Sequence, residues 1–230
     1  MKIEISHRPA YALAVVTLDA DEVVVAEGGA MVSMDSHVSI ETRAGKKDQG
    51  MLGGLLSGLK RVVAGESFFQ NRFTANGEAG SVTFAPTHVG DVMATELDDS
   101  TVILQSSAFL FSGPDVTVST KWGGAKTFFG GEGLIMLRAS GTGPLAFNSF
   151  GGIKEIDVDG KFTVDTGHIV AFQDSLKFKV SRFGGGWKAF LFGGEGLVCS
   201  FTGTGKLWIQ TRNPQEFGTT VGPLLPMRQS

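Results

Sequence analysis

The chain has 230 residues, a formal net charge of −3 at pH 7 and 33 glycines, about twice the ~7% glycine of an average protein. The acidic balance excludes holding nucleic acid by bulk positive charge, and the aperiodic glycines exclude a collagen helix. With 42% hydrophobic and 19% charged residues the chain is not disordered, and its length suffices for one sizeable core.

The first expected element is the apolar run Tyr11 to Leu18, which leads into Asp19, Asp21 and Glu22. It is too short for an export signal, and Met1-Lys2-Ile3-Glu4 carries an acid where such a signal needs net positive charge. We therefore expect a strand there and a cytoplasmic protein, or one peripheral to the inner face of a membrane. Val23-Val24-Val25 and Val38-Ser39-Ile40-Glu41-Thr42 read as the next strands. An insert follows near 45–58. From Met51 to Val63 the apolar positions 51, 52, 55, 56, 59, 62 and 63 have helical spacing. Two readings are open for this segment. One is a short helix packed on the sheet or on a neighbouring subunit, and the other is a helix lying on a membrane surface. On either reading Met51, Leu52, Leu55, Leu56 and Leu59 form an interaction face.

A short block then occurs three times. Gly65-Glu66 is followed by Asn76-Gly77 and Val82-Thr83-Phe84. Gly130-Gly131-Glu132-Gly133 is followed by Gly141-Thr142-Gly143 and Leu145-Ala146-Phe147. Gly193-Gly194-Glu195-Gly196 is followed by Gly203-Thr204-Gly205 and Leu207-Trp208-Ile209. The upstream strands recur with it, as Val102-Ile103-Leu104 before Val116-Thr117-Val118, and Phe162-Thr163-Val164 before Phe178-Lys179-Val180. Alternation with period two, strong at Leu176, Phe178 and Val180, marks strands with one buried face. Asp159-Gly160 and the Gly-Thr-Gly triplets read as hairpin turns, where φ must be positive. Val23, Val25, Val82, Phe84, Val102, Leu104, Leu145, Phe147 and Leu207 are among the expected core residues.

These patterns predict an all-β sandwich or β-roll with at most one or two short helices. It would be built from three tandem units of about 65–75 residues in a pseudo-threefold arrangement. The predicted units span 10–88 (with the insert at 45–58), 89–151 and 152–213, within one compact body, and 214–230 form a tail.

No nucleophile elbow, phosphate loop or dinucleotide fingerprint is present. The four histidines, His7, His37, His88 and His168, lack metal-ligand spacing. No catalytic residue, cofactor or metal is expected. The in-register Glu66, Glu132 and Glu195 are read as carboxylates accepting N–H bonds from their glycine-rich turns, with a ring of carboxylates around a common axis as the alternative. Trp122 and Trp187, set among glycines and lysines, are candidates for an exposed apolar contact.

The triplicated Gly-Gly-Glu-Gly block, the Gly-Thr-Gly triplets and the Gly-rich loops with Phe and Trp resemble the altered-inheritance-of-mitochondria family over roughly Ile3 to Asn213. The resemblance implies a fold similar to the tryptophan RNA-binding attenuation protein, duplicated within the chain. It also implies a link to inner-membrane organisation, through the family's mitochondrial members, and no catalytic residues. Tryptophan and RNA binding do not transfer, because a shared fold does not fix function. The expected function is a non-enzymatic scaffold or interaction protein, assembled as a homo-oligomer (a trimer or larger ring) with a protein or membrane-surface partner. The alternative is a small-ligand or metal-binding β-roll, acting as an enzyme or sensor.

Overall fold

The computed structural model describes residues 1–44, 69–119, 128–129, 134–182 and 197–226. The expected all-β class is what these residues adopt. The chain opens with β1 (Lys2–Ser6), β2 (Leu13–Leu18), β3 (Val23–Glu27), β4 (Met31–Met34), β5 (Val38–Ala44), β6 (Phe69–Ala75) and β7 (Gly80–Phe84). It continues with β8 (Val92–Gln105), β9 (Phe109–Ser112), β10 (Val116–Ser119), β11 (Phe128–Phe129) and β12 (Leu134–Asn148). It closes with β13 (Ile153–Asp165), β14 (Ile169–Gln173), β15 (Lys177–Arg182), β16 (Leu197–Gln210) and a helix, α1 (Pro214–Val221). Asn213 caps that helix by accepting from Gln215 N, with Pro214 in its first turn.

Two sheets form. The smaller has the order β1-β2-β7-β4. The larger has the path β13-β16-β14-β8-β12-β9-β3-β6-β5, with β10 and β11 also on β12 and β15 on β16. Every ladder is antiparallel.

The hairpins expected at Asp159-Gly160 and at the Gly-Thr-Gly triplets are not formed. β13 runs unbroken through Asp159-Gly160 and pairs along its length with β16, Gly160 opposite Gly203. Both glycines have positive φ, 94° and 117°, at this crossing point. β12 likewise passes through Gly141 and Gly143, with φ of 134° and 126° and a bulge between them. Positive φ serves a bend or bulge as well as a tight turn, so the residue types alone do not separate the two. The bends let one strand serve two ladders. β12 pairs with β10 through Arg138–Gly141 and with β9 through Leu145–Phe147. In the first third of the chain the corresponding bends interrupt the strands, separating β2 from β3 at Asp21 (φ 62°) and β6 from β7 at Gly77 (φ 73°).

The core has three apolar clusters. Phe84 stacks on Phe73 and Phe111 at 5.4 and 5.1 Å in the first. Phe147 meets Trp208 at 5.3 Å in the second, and Phe172 meets Phe201 at 5.0 Å in the third. Val82, Phe84, Val102, Leu104, Leu145, Phe147 and Leu207 are buried as expected. In β3 the alternation is misleading. Val24 and Ala26 are fully buried, Val23 is buried at the strand's start, and Val25 is only half-buried. Three consecutive valines are apolar in either phase, so alternation does not say which of them faces the core.

At the end of β3, burial pushes the Glu27 carboxyl up from its ordinary 4.5 to about 7. The folded state therefore holds this proton more tightly than the unfolded chain does. The stabilisation is complete below about pH 4.5, fades as pH rises to 7, and is then gone. Glu27→Gln is expected to flatten that pH dependence and to raise stability at pH 8 by about 1–2 kcal/mol, allowing for the side chain's partial exposure. Urea unfolding of both proteins at pH 5 and pH 8 measures this.

Candidate functional site

All ten residues proposed from sequence lie outside the described residues. They are Met51, Leu52, Leu55, Leu56 and Leu59 of the insert, Trp122, Trp187, and the glutamates Glu66, Glu132 and Glu195. What the structure brings together is different.

One concavity, of about 840 Å³, is an open groove between β1, the first half of β8 and Glu155 of β13. Its floor is apolar, with Ile3, Ile5, Met93 and Pro144. Apart from exposed Glu96, its charged side chains are engaged with protein partners. Arg8 donates from Nε and a terminal nitrogen to the two oxygens of buried Asp91, at 2.7 and 2.9 Å. Those bonds hold the guanidinium pKa above its ordinary value. Glu155 accepts from Trp208 Nε1 at 2.8 Å and pairs with Lys206, which also reaches Asp157 at 3.3 Å. The hydrogen bond to Glu155, then that to Asp157, raise the Lys206 pKa. These two donors fix the Glu155 carboxylate on the rim of the groove. Among the described residues, no group of three or more His, Cys, Asp or Glu could hold a metal ion. Burial pushes the Cys199 thiol up to about 12, which removes it as a nucleophile.

A second surface lies on β13, β16 and β15. Lys161, Lys177 and Lys179 rim a shallow groove of about 520 Å³ floored by Ser200 and Thr202.

The third surface is apolar and sits where the segments before β2, β8 and β13 meet. Ala12 N donates to Gly90 O at 3.0 Å, and Asp91 N donates to Gly151 O at 2.9 Å. Around that junction Tyr11 is 75% exposed and Val89 54%. Phe150 stacks against Phe217 of α1 at 5.1 Å, leaving Phe217 55% exposed. The sequence reading passed over this cluster because its members come from four distant places in the chain.

The fourth surface is β4. Met31, Val32, Ser33 and Met34 are all exposed, and their only ladder among the described residues is with β7. Two strands of similar length, β9 and β14, are buried almost throughout and paired on both edges. An apolar strand with an open edge is a template for another strand. A signal for it existed: Met31-Val32-Ser33-Met34 is a short apolar run between two turns that the reading left unassigned.

The sequence profile of a known family, described as mitochondrial biogenesis AIM24, matches residues 3–212. The chain belongs to that family. A relative, an uncharacterized protein of Streptococcus pyogenes serotype M6, is 31% identical over 230 residues, spanning 98% of this chain and 92% of that protein. The X-ray structure of a Streptococcus pyogenes protein superposes with a TM-score of 0.78 at 28% identity, covering 97% of this chain and 99% of that one. Among the described residues no helix is long and apolar enough to cross a membrane.

Proposed function

We propose that this AIM24-family protein is a non-enzymatic scaffold that works as a homo-oligomer. The observation that carries the reading is β4, an apolar strand that is exposed and, among the described residues, open-edged, whereas β9 and β14 are buried. Apolar surface of this kind marks a contact with another protein. The exposed cluster at Tyr11, Val89 and Phe217 supplies a further surface through which an assembled scaffold would hold its partner.

On this reading the chain is three modules, 10–88, 89–151 and 152–213, arranged about a common axis as in the tryptophan RNA-binding attenuation protein. Three bulges support it. β4 skips one residue against β7 between Met31 and Ser33, β9 slips against β12 opposite Ala146 and Phe147, and β14 skips one against β16 between Ile169 and Ala171. The hydrogen bonds that join Ala12 to Gly90 and Asp91 to Gly151 link successive module starts in the same way.

Light scattering on the purified full chain at about 50 μM, well above the micromolar range of a stable assembly, tests the reading. A mass that is a multiple of 24.3 kDa is expected. A single 24.3 kDa species across the whole concentration range would overturn it.

A further inference from the structure

The proposed assembly has a specific joint available to it. β9 and β14 each make a bulged ladder with the C-terminal half of a long strand and then take a second neighbour on the opposite edge. For β9 that neighbour is β3, with Val25 opposite Ser112 and Ala26 opposite Phe111. For β14 it is the second half of β8, with Ile103 opposite Phe172 and Leu104 opposite Ala171. β4 has the first ladder, with Met34 opposite Val82 and Ser33 opposite Thr83, and among the described residues it has no second. Conversely, the second half of β13 corresponds to β3 and to the second half of β8. It pairs with β16 alone among the described residues, and Phe162 there is 36% exposed. Among the described residues one chain therefore carries one open edge of each kind, and the two are not paired with each other.

We infer that β4 of one copy adds antiparallel to the second half of β13 in a second copy of this chain. This rests on the homo-oligomer reading and names its interface. The intrachain ladders fix the register. Met34 takes the place of Ser112 and Phe172, and Thr163 that of Val25 and Ile103, so Met34 stands opposite Thr163 and Ser33 opposite Val164. The match has an electrostatic component. The register brings Lys161 of the second copy to the end of β4 that carries Asp35. Because the two edges differ, the contact is head-to-tail. It closes into a ring or continues as a filament according to the rotation between copies.

The test mixes single-cysteine variants of the full chain. Opposed residues in an antiparallel ladder lie about 4.5–5.5 Å apart at Cα, within disulfide reach, and alternate between wide and narrow sites. Two mixtures, Met34→Cys with Thr163→Cys and Ser33→Cys with Val164→Cys, therefore include one of the narrow kind. Cys199 is buried and stays in place. Mild oxidation is expected to give a disulfide-linked pair of chains in at least one mixture and not in either component alone. Independently, Met34→Lys, which puts a cation beside Lys161, is expected to weaken assembly at least tenfold, while Leu224→Ser, at an exposed position outside every proposed surface, leaves it unchanged.

A multimer by light scattering that forms no linked pair and ignores Met34→Lys would overturn the β4–β13 joint and leave the homo-oligomer reading standing. A double variant, Met34→Cys with Thr163→Cys, that cross-links only within one chain would show that β4 closes on its own β13, and the inference would fall. A strict monomer would remove both.

Discussion

Gly90→Ala is expected to destabilise the protein by about 3–5 kcal/mol, because the new methyl has nowhere to go. A Cβ built at Gly90 lies 1.7 Å from the carbonyl oxygen of Ser149 and 2.8 Å from its carbon. Both are backbone atoms, so no side-chain rotation relieves the clash. The backbone there is also tightly committed. Gly90 O accepts from Ala12 N, Gly90 bridges Gly151 in parallel, Gly151 N donates to Val89 O at 3.0 Å, and Ser149 N donates to Asp91 O at 3.1 Å. Moving the Gly90 backbone to make room breaks several of these bonds and disturbs Asp91, whose carboxylate is buried against Arg8. For a chain of this length the loss corresponds to a fall of about 10 °C in the unfolding midpoint. Gly218→Ala in α1 is the internal control. Nothing lies within 4 Å of its Cβ position, so alanine is expected to gain up to about 1 kcal/mol through helix propensity. Thermal unfolding of the two variants should move in opposite directions, and a neutral Gly90→Ala would contradict the close approach of the strands at this junction.

Trp208→Ala is expected to cost about 3–5 kcal/mol and to loosen the second cluster specifically. Trp208 is 1% exposed, sits against Phe147, and donates its indole N–H to Glu155. The truncation leaves a large cavity on β16 between β13 and β14. It also removes one of the two donors that hold Glu155 on the rim of the groove. Trp208→Phe keeps most of the packing and loses only the hydrogen bond, so it should cost about 1–2 kcal/mol. Denaturant unfolding of the pair separates the packing contribution from the polar one. Equal losses in both variants would show that the hydrogen bond, and not the volume, is what matters.

The strands were legible because alternation is a local property, and each strand had to hide one face. The spacing of Phe178 and Val180, or of Val82 and Phe84, is enough to show this. The bends were not legible. Asp159-Gly160 satisfies every local requirement of a hairpin, and only the presence of Gly203 on the opposite strand makes it a crossing point in a continuous 13-residue strand. The buried polar residues were invisible for a related reason. Gln210 accepts from Phe150 N and donates to Gly167 O, and Asn148 donates to Ala108 O, with partners 40 to 60 residues away. Of the surfaces, the Arg8–Asp91 pair spans 83 residues and has no sequence signature. The β4 edge did have one, in a short apolar run that a search for matching repeats treats as connecting chain.

The order of strands in the larger sheet bears on how the protein is made. β16, which ends at Gln210, is the partner of β13, β14 and β15, and β14 in turn covers one edge of β8. A nascent chain still on the ribosome thus holds β8 and β13 with partners that have yet to be translated. Such long-range pairing is slow, and its unmatched edges are sticky while it waits. Synthesis therefore creates a window in which chaperone protection matters most. A stop codon ahead of Leu197 would strand the sheet in that window, whereas one after Gln210 would leave every ladder complete.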